Sequence, residues 1–214
     1  MLNTIVSSTK VELVSSIILF LLIARGRAND PDIISDFVIP ANTTTIDENF
    51  FTYTGLRTTF TTEFPTEFKA TKANMVEFPA LVGQSISYLV VQLPVGAVNP
   101  PHLHPRSSEL LLVISGYIEA GFVDTSNKLY TQLLQPGDIF VVPKGLLHYQ
   151  YNANANINAT ALTAFGSANG GKVTLPVALF ETGIDDEILA KSFRTDIATV
   201  QKIKAGLAPK EDNT

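Results

Sequence analysis

Residues 96–116 read GAVNPPHLHPRSSELLLVISG, and residues 137–152 read GDIFVVPKGLLHYQYN. Together they hold the chain's three histidines, His102, His104 and His148, and the carboxylate Glu109. Side chains alternate faces along a strand, so His102 and His104 point the same way in an extended segment. The break Pro105–Ser108 interrupts that alternation and lets Glu109 return to the same face where the next strand begins. His148 opens a later strand, just past the turn Pro143-Lys144-Gly145. In a closed barrel the two strand regions meet across the interior.

The surrounding sequence supports such a barrel. Ile86–Leu93, Glu109–Ser115, Ile118–Val123, Leu129–Leu134, Asp138–Val142, His148–Ala153, Thr160–Phe165 and Val173–Phe180 are short runs rich in β-branched and aromatic residues. Pro94-Val95-Gly96, Ser115-Gly116, Asp124–Asn127, Pro136-Gly137-Asp138 and Asn169-Gly170-Gly171 separate them as turn signals. Short strands at this spacing predict a sandwich or a barrel, and a jelly roll is one way to close its edges. Residues 29–57 read as an extended arm, and residues 58–70 show no clear period. After Gly183 the spacing becomes helical, over Asp185–Phe193 and Asp196–Leu207, with Thr195 placed to cap the second helix. Ile197, Val200, Ile203 and Leu207 form one stripe there, a packing surface toward the barrel or another subunit. No internal repeat is present, which argues for one barrel. The resulting organisation is a signal peptide (1–28), an N-terminal arm (29–70), a β-barrel (71–182) and a C-terminal helical segment with a tail (183–214).

Composition narrows the function classes. The chain has 214 residues, of which 45% are hydrophobic and 16% charged, a mix that builds a core rather than a disordered chain. It contains no cysteine, which excludes disulfides, thiolate metal sites and a cysteine nucleophile. Residues 13–24 (LVSSIILFLLIA) follow Lys10 and precede small residues at Gly26 and Ala28, the pattern of a secretory signal peptide. An uncleaved anchor is the alternative, favoured by Arg25 and Arg27 but opposed by the shortness of the apolar run. Cleavage before Asn29 leaves 12 basic and 19 acidic residues, a formal charge of −7. So acidic a chain, without basic runs, is a poor partner for nucleic acid or anionic membranes. Asn42-Thr43-Thr44 and Asn158-Ala159-Thr160 are sequons, plausible glycan sites at Asn42 and Asn158 in a secreted chain.

Three imidazoles and one carboxylate make a mixed nitrogen and oxygen ligand set suited to manganese, iron, nickel, copper or zinc. A divalent ion there would carry a net single positive charge and keep positions open, as catalytic sites do. A histidine alone in a strand is more often a hydrogen-bonded core or surface residue. The whole pattern is what distinguishes this one: Gly96, His102-x-His104-x4-Glu109, Gly116, then Gly137, Pro143, Gly145, His148 and Asn152.

That pattern resembles the two motifs of the cupin superfamily, and NPPHLHPR (99–106) and PKGLLHYQYN (143–152) resemble the germins and germin-like proteins of plants. DPDIISDF (30–37) is similar to the mature start of that family. The resemblance implies an all-β-dominated fold, a single cupin jelly-roll β-barrel with a short C-terminal helical segment. It implies one manganese ion per subunit, held by His102, His104, Glu109 and His148, a hexamer built as a trimer of dimers, and a place in the cell wall or apoplast. The family typically pairs two cysteines near the mature N-terminus; Val38 stands where the first would fall and the second is also absent, so the arm must be held by packing. Oxalate-oxidising germins carry two asparagines near the metal. Asn99 matches one, while Leu89 replaces the other and cannot donate to a dicarboxylate.

Three functions follow from the resemblance. The first is a manganese-dependent superoxide dismutase, with superoxide as its small-molecule substrate and Asn99 orienting bound water, linked at family level to defence or stress response. The second is a non-enzymatic wall protein or receptor whose metal stabilises the barrel. The third is an oxalate oxidase, which Leu89 disfavours. The acidic net charge would not steer an anion inward unless the local field differs from it.

Overall fold

The computed structural model describes residues 30–41, 43 and 45–207. The expected signal peptide (1–28) and the sequon residue Asn42 lie outside the described residues. Ten strands form two antiparallel five-stranded sheets. They are β1 (Lys69–Ala73), β2 (Ser87–Leu93), β3 (Val98–Leu103), β4 (Glu109–Ser115), β5 (Ile118–Val123), β6 (Leu129–Leu134), β7 (Ile139–Val142), β8 (Leu147–Tyr151), β9 (Ala159–Phe165) and β10 (Val173–Thr174). One sheet runs β1-β2-β9-β4-β7 and the other β10-β3-β8-β5-β6. This is the expected jelly roll, and helices follow it at the C-terminal end.

Alternation along the strands builds the core. In β4, Glu109, Leu111 and Val113 are buried, while Leu110 and Ile114 face outward. Leu111 and Val113 join Val91, Leu93, Ile118, Ala120, Leu134, Ala159 and Ala161 between the sheets. Glu109 therefore enters the interior on the same period-two register that builds the hydrophobic core.

Several expectations are corrected. Val173–Phe180 is not one strand: β10 ends at Thr174, and Leu175–Phe180 is a helix. Pro176 sits in its first turn, where the missing N–H costs nothing, whereas it would break a strand ladder. The segment without a period contains a short helix, Thr58–Thr61, and the start of β1. In β1 only Ala73 is buried, so KATKA carries no apolar alternation; its backbone pairing to β2 makes it a strand. The cap of the last helix, Ile197–Leu207, is Asp196 rather than Thr195. Its Oδ1 accepts the Thr199 N–H at 2.8 Å, the placement that satisfies an orphan first-turn donor. Of the apolar stripe, Val200 alone is buried, against Leu189, Ala190, Phe180 and Ile184; Ile197 and Ile203 stay exposed.

The arm, lacking a disulfide, is tied by polar and aromatic contacts. Asp30 accepts from the Ser167 hydroxyl at 2.7 Å and from the Ala168 N–H at 2.6 Å. Phe37, Phe50 and Phe51 form an edge-on cluster, and Tyr53 stacks on Phe78 while donating to the Lys72 carbonyl at 3.2 Å. Among the described residues, no helix is long and apolar enough to cross a membrane.

Candidate metal centre

The four candidate ligands come from three segments of the chain. His102 and His148 are direct cross-strand partners in β3 and β8, and Glu109 opens β4 in the opposite sheet. His104 lies one residue beyond β3. A register shift between Asn99 and His102, at Pro100-Pro101, lets β3 turn its histidine inward. The two motifs are stitched together by backbone bonds: the Gly145 N–H donates to the His104 carbonyl at 3.1 Å. At the far end, Gly96 N–H donates to Asn152 O and Asn152 N–H to Ala97 O, both at 3.0 Å.

The four side chains are all buried, and one potential ligand atom from each lies within 4.8 Å of the others. Every imidazole Nδ1 faces a backbone carbonyl: His102 toward Pro100 at 2.7 Å, His148 toward Leu146 at 2.9 Å, and His104 toward Gly171. A carbonyl only accepts, so each Nδ1 carries the proton and the Nε2 of the neutral ring presents a lone pair. The Nε2 atoms of His104 and His148 both lie 3.1 Å from Glu109 Oε2. For His104 that approach is not aligned as a hydrogen bond, and its buried Nε2 has no partner. Buried lone pairs aimed at a carboxylate are stable with a cation among them, so this donor set fits a metal ion. The absence of sulfur donors and the mix of imidazole with carboxylate suit a divalent transition ion with open positions.

The protonation states agree. Burial, helped by the nearby His148 and Lys172, pushes His102 down to about 3, which keeps it a neutral donor. Burial alone would raise Glu109; hydrogen bonds and charge from protonated His104 and His148 would lower it to about 2. With both rings neutral, a cation at their Nε2 atoms would act in the same direction. Gln150 donates to the second oxygen, Oε1, at 3.2 Å, and so fixes the plane of the carboxylate.

Behind Gln150 the chain of contacts continues. Asn99 Nδ2 donates to Gln150 Oε1 at 2.5 Å, and Lys172 Nζ donates to Asn99 Oδ1 at 2.9 Å. Asn99 thus reaches the ligand set through Gln150. A cavity of about 360 Å³ opens beside His102 and His104, walled by Ala70, Leu89 and Phe165 and bordered by Lys72 and Lys172. Leu89 therefore faces the site, as the motif comparison implied. Two functional residues escaped the sequence reading. Gln150 had a signal, since it stands two residues after His148 and shares its face. Lys172, a single lysine after a glycine pair, had none.

Asn158 is exposed just before β9, and its Oδ1 accepts the Val95 N–H at 3.2 Å. Thr160, which completes that sequon, is buried inside β9, so modification of Asn158 would have to precede folding.

A profile of the cupin family matches residues 62–201. The chain is 56% identical over 187 residues to putative germin-like protein 9-2 of Oryza sativa subsp. japonica, covering 85% of this chain and 87% of that one. It is 54% identical over 194 residues to germin-like protein 9-3 of the same organism, with 87% and 90% covered. A solved oxalate oxidase superposes with a TM-score of 0.74 at 28% identity, covering 84% of this chain and 98% of that one.

Proposed function

This chain belongs to the cupin family and, within it, to the germin-like proteins; from that premise we propose that it is a secreted manganese protein of the cell wall with superoxide dismutase activity. One observation carries the reading. Three neutral imidazoles and one ionised carboxylate converge in a buried pocket that opens on a small cavity. Bound there by His102, His104, Glu109 and His148, a manganese ion would supply a one-electron couple, so that two superoxide ions and two protons give dioxygen and hydrogen peroxide. The chain's own residues hold the ligands still and limit access. Backbone carbonyls fix the three rings, Gln150 fixes Glu109, and Leu89 and Phe165 close the cavity walls.

Affinity among divalent ions runs against manganese, so the choice of this ion rests on the family. The resemblance to an oxalate oxidase is met by Leu89. Leu89 cannot donate where the oxalate-oxidising germins place an asparagine, and losing that polar contact to a dicarboxylate costs about 1–3 kcal/mol. Secretion is supported by the apolar segment 13–24, and glycosylation at Asn42 and Asn158 by their sequons. A hexamer is supported by an outward apolar patch: Leu110 pairs with Val141 and Leu112 with Ile139 on the edge of the first sheet, and Leu110, Ile139 and Val141 are exposed.

The test is metal content of the purified secreted protein, by mass spectrometry, beside superoxide consumption by wild type and His148→Ala. Near-stoichiometric manganese with activity lost in the variant is expected. Manganese without activity would move the assignment to a wall protein or receptor whose ion only stabilises the barrel. Absence of metal from the wild type would defeat the reading.

A further inference from the structure

The cavity beside the ligands has a local charge opposite to that of the chain. Lys72 and Lys172 both line it, between the apolar walls of Ala70, Leu89 and Phe165. Lys72 and Lys172 are both exposed residues, and the Lys172 ammonium reaches a partly buried contact with Asn99. One of the three donors of the Lys172 ammonium goes to Asn99 Oδ1 at 2.9 Å, and the Phe68 ring centre lies 5.3 Å away. Among the described residues no carboxylate pairs with it; the nearby Glu109 is already occupied by Gln150, His104 and His148. Its charge nevertheless reaches the site. It disfavours protonation of His102; the Lys172 pKa itself is lowered by burial, with Glu109 opposing that shift and Lys72 adding to it.

We propose that Lys172 is the anion-binding residue of this cavity, holding the charged head of a small anion beside the candidate metal ligands while Leu89 and Phe165 cover the rest of it. The ammonium supplies the attraction, and its contact with Asn99 holds it at the cavity. Its donors are charge-assisted, the strong kind. Lys72 and Lys172 set the sign of the preference, an anion, and the apolar walls of Leu89 and Phe165 restrict it to a small one. The local field also answers the acidic net charge, since an anion approaching this mouth meets lysines first. The inference rests on the proposed reading only in taking this cavity as the substrate's; superoxide is one such anion.

The experiment is calorimetric titration of sodium acetate into wild type, Lys172→Gln and Lys172→Arg, each metal-free and manganese-loaded. Wild type is expected to bind acetate in both forms. Lys172→Gln should weaken acetate roughly tenfold to a hundredfold, as loss of a charge-assisted bond does. Lys172→Arg should keep acetate affinity within about threefold, because the charge and donors remain. Wild-type affinity should also fall as sodium chloride is raised through physiological ionic strength. Acetate binding that survives Lys172→Gln, or that ignores salt, would overturn the proposal. Manganese content is measured on the same samples. If none takes up manganese, the metal reading fails while the metal-free titrations still decide the role of Lys172.

Discussion

The aim of His104 depends on a glycine 67 residues away in the chain. Gly171 has φ +68°, and its carbonyl receives the His104 Nδ1–H. A Cβ there would lie 2.8 Å from the Arg106 guanidinium, which itself clamps the loop through Asn169 O at 2.8 Å and Asn169 Oδ1 at 3.2 Å. Gly171→Ala should therefore cost about 1–2 kcal/mol from the left-handed backbone alone, and should loosen metal binding because the strained loop displaces the carbonyl that holds His104 Nδ1. Losing such a support typically lowers metal affinity about tenfold to a hundredfold. Thermal melts and metal titration of that variant check both parts; a variant with wild-type metal affinity would show that His104 is aimed by other contacts, such as its edge-on approach to Phe165. At this scale the four candidate ligands were legible, because the whole pattern of His102-x-His104-x4-Glu109, its flanking glycines and the later His148 picks them out. Lys172 was not, because its role depends on where a later loop brings it.

Among the elements, the strands that carry the ligands are locked at their ends by Asn152. This residue is fully buried, and its Nδ2 donates to the carbonyls of Leu93 at 3.0 Å, Pro94 at 3.2 Å and Ile157 at 2.8 Å. One amide thereby joins the end of β2, the turn before β3 and the loop before β9. Asn152→Ala strands several buried carbonyls and should destabilise the fold by about 1–3 kcal/mol, read as a drop in the denaturant midpoint. No change in midpoint would mean that the backbone bonds between Asn152, Gly96 and Ala97 carry the junction alone. Gly116 is the matching constraint on β4: its φ is +74°, and a Cβ would meet Asn158 O at 2.4 Å. Element positions followed the sequence where apolar residues alternated. They failed at β1, where pairing with β2 overrides an unpatterned run, and at Leu175–Phe180, where β-branched and apolar residues masked a helix begun by Pro176.

For the molecule as a whole, acid should act against both stability and metal retention. His102 lies at about 3 in the fold, below an ordinary value of 6.5, so its contribution is complete above 6.5 and is lost as pH falls toward 3. Glu109, at about 2 against 4.5, adds a loss in the same direction at lower pH. Protons also compete with the ion for the same lone pairs. Melts and metal content should therefore fall together on acidification from about pH 7 to pH 5; a protein that grows more stable over that range would contradict the neutral-histidine site. At neutral pH, an ion present at a thousand times its dissociation constant stabilises by about 4 kcal/mol, so chelation should lower the melting temperature by several degrees. The outward patch of Leu110, Ile139 and Val141 belongs to the same scale. If the chain forms the proposed hexamer, Ile139→Lys should shift the particle in sedimentation velocity to a smaller species, and an unchanged species would remove that face from the proposed assembly.

The sequence by itself determined the barrel, its ligand set and its family, because all three are written in local periods: alternation, turn residues and two motifs of fixed spacing. The absence of a second polar anchor at Leu89 was equally a matter of one position. Tertiary structure alone decided the rest. It brought the loop after β9 against β3, placing Gly171 on His104 and Lys172 on Asn99 from some 70 positions away. It also gave the cavity a positive border in an acidic chain. Net charge sums over residues regardless of place, whereas the field at a site weights each charge by its distance and burial, and only the fold sets those.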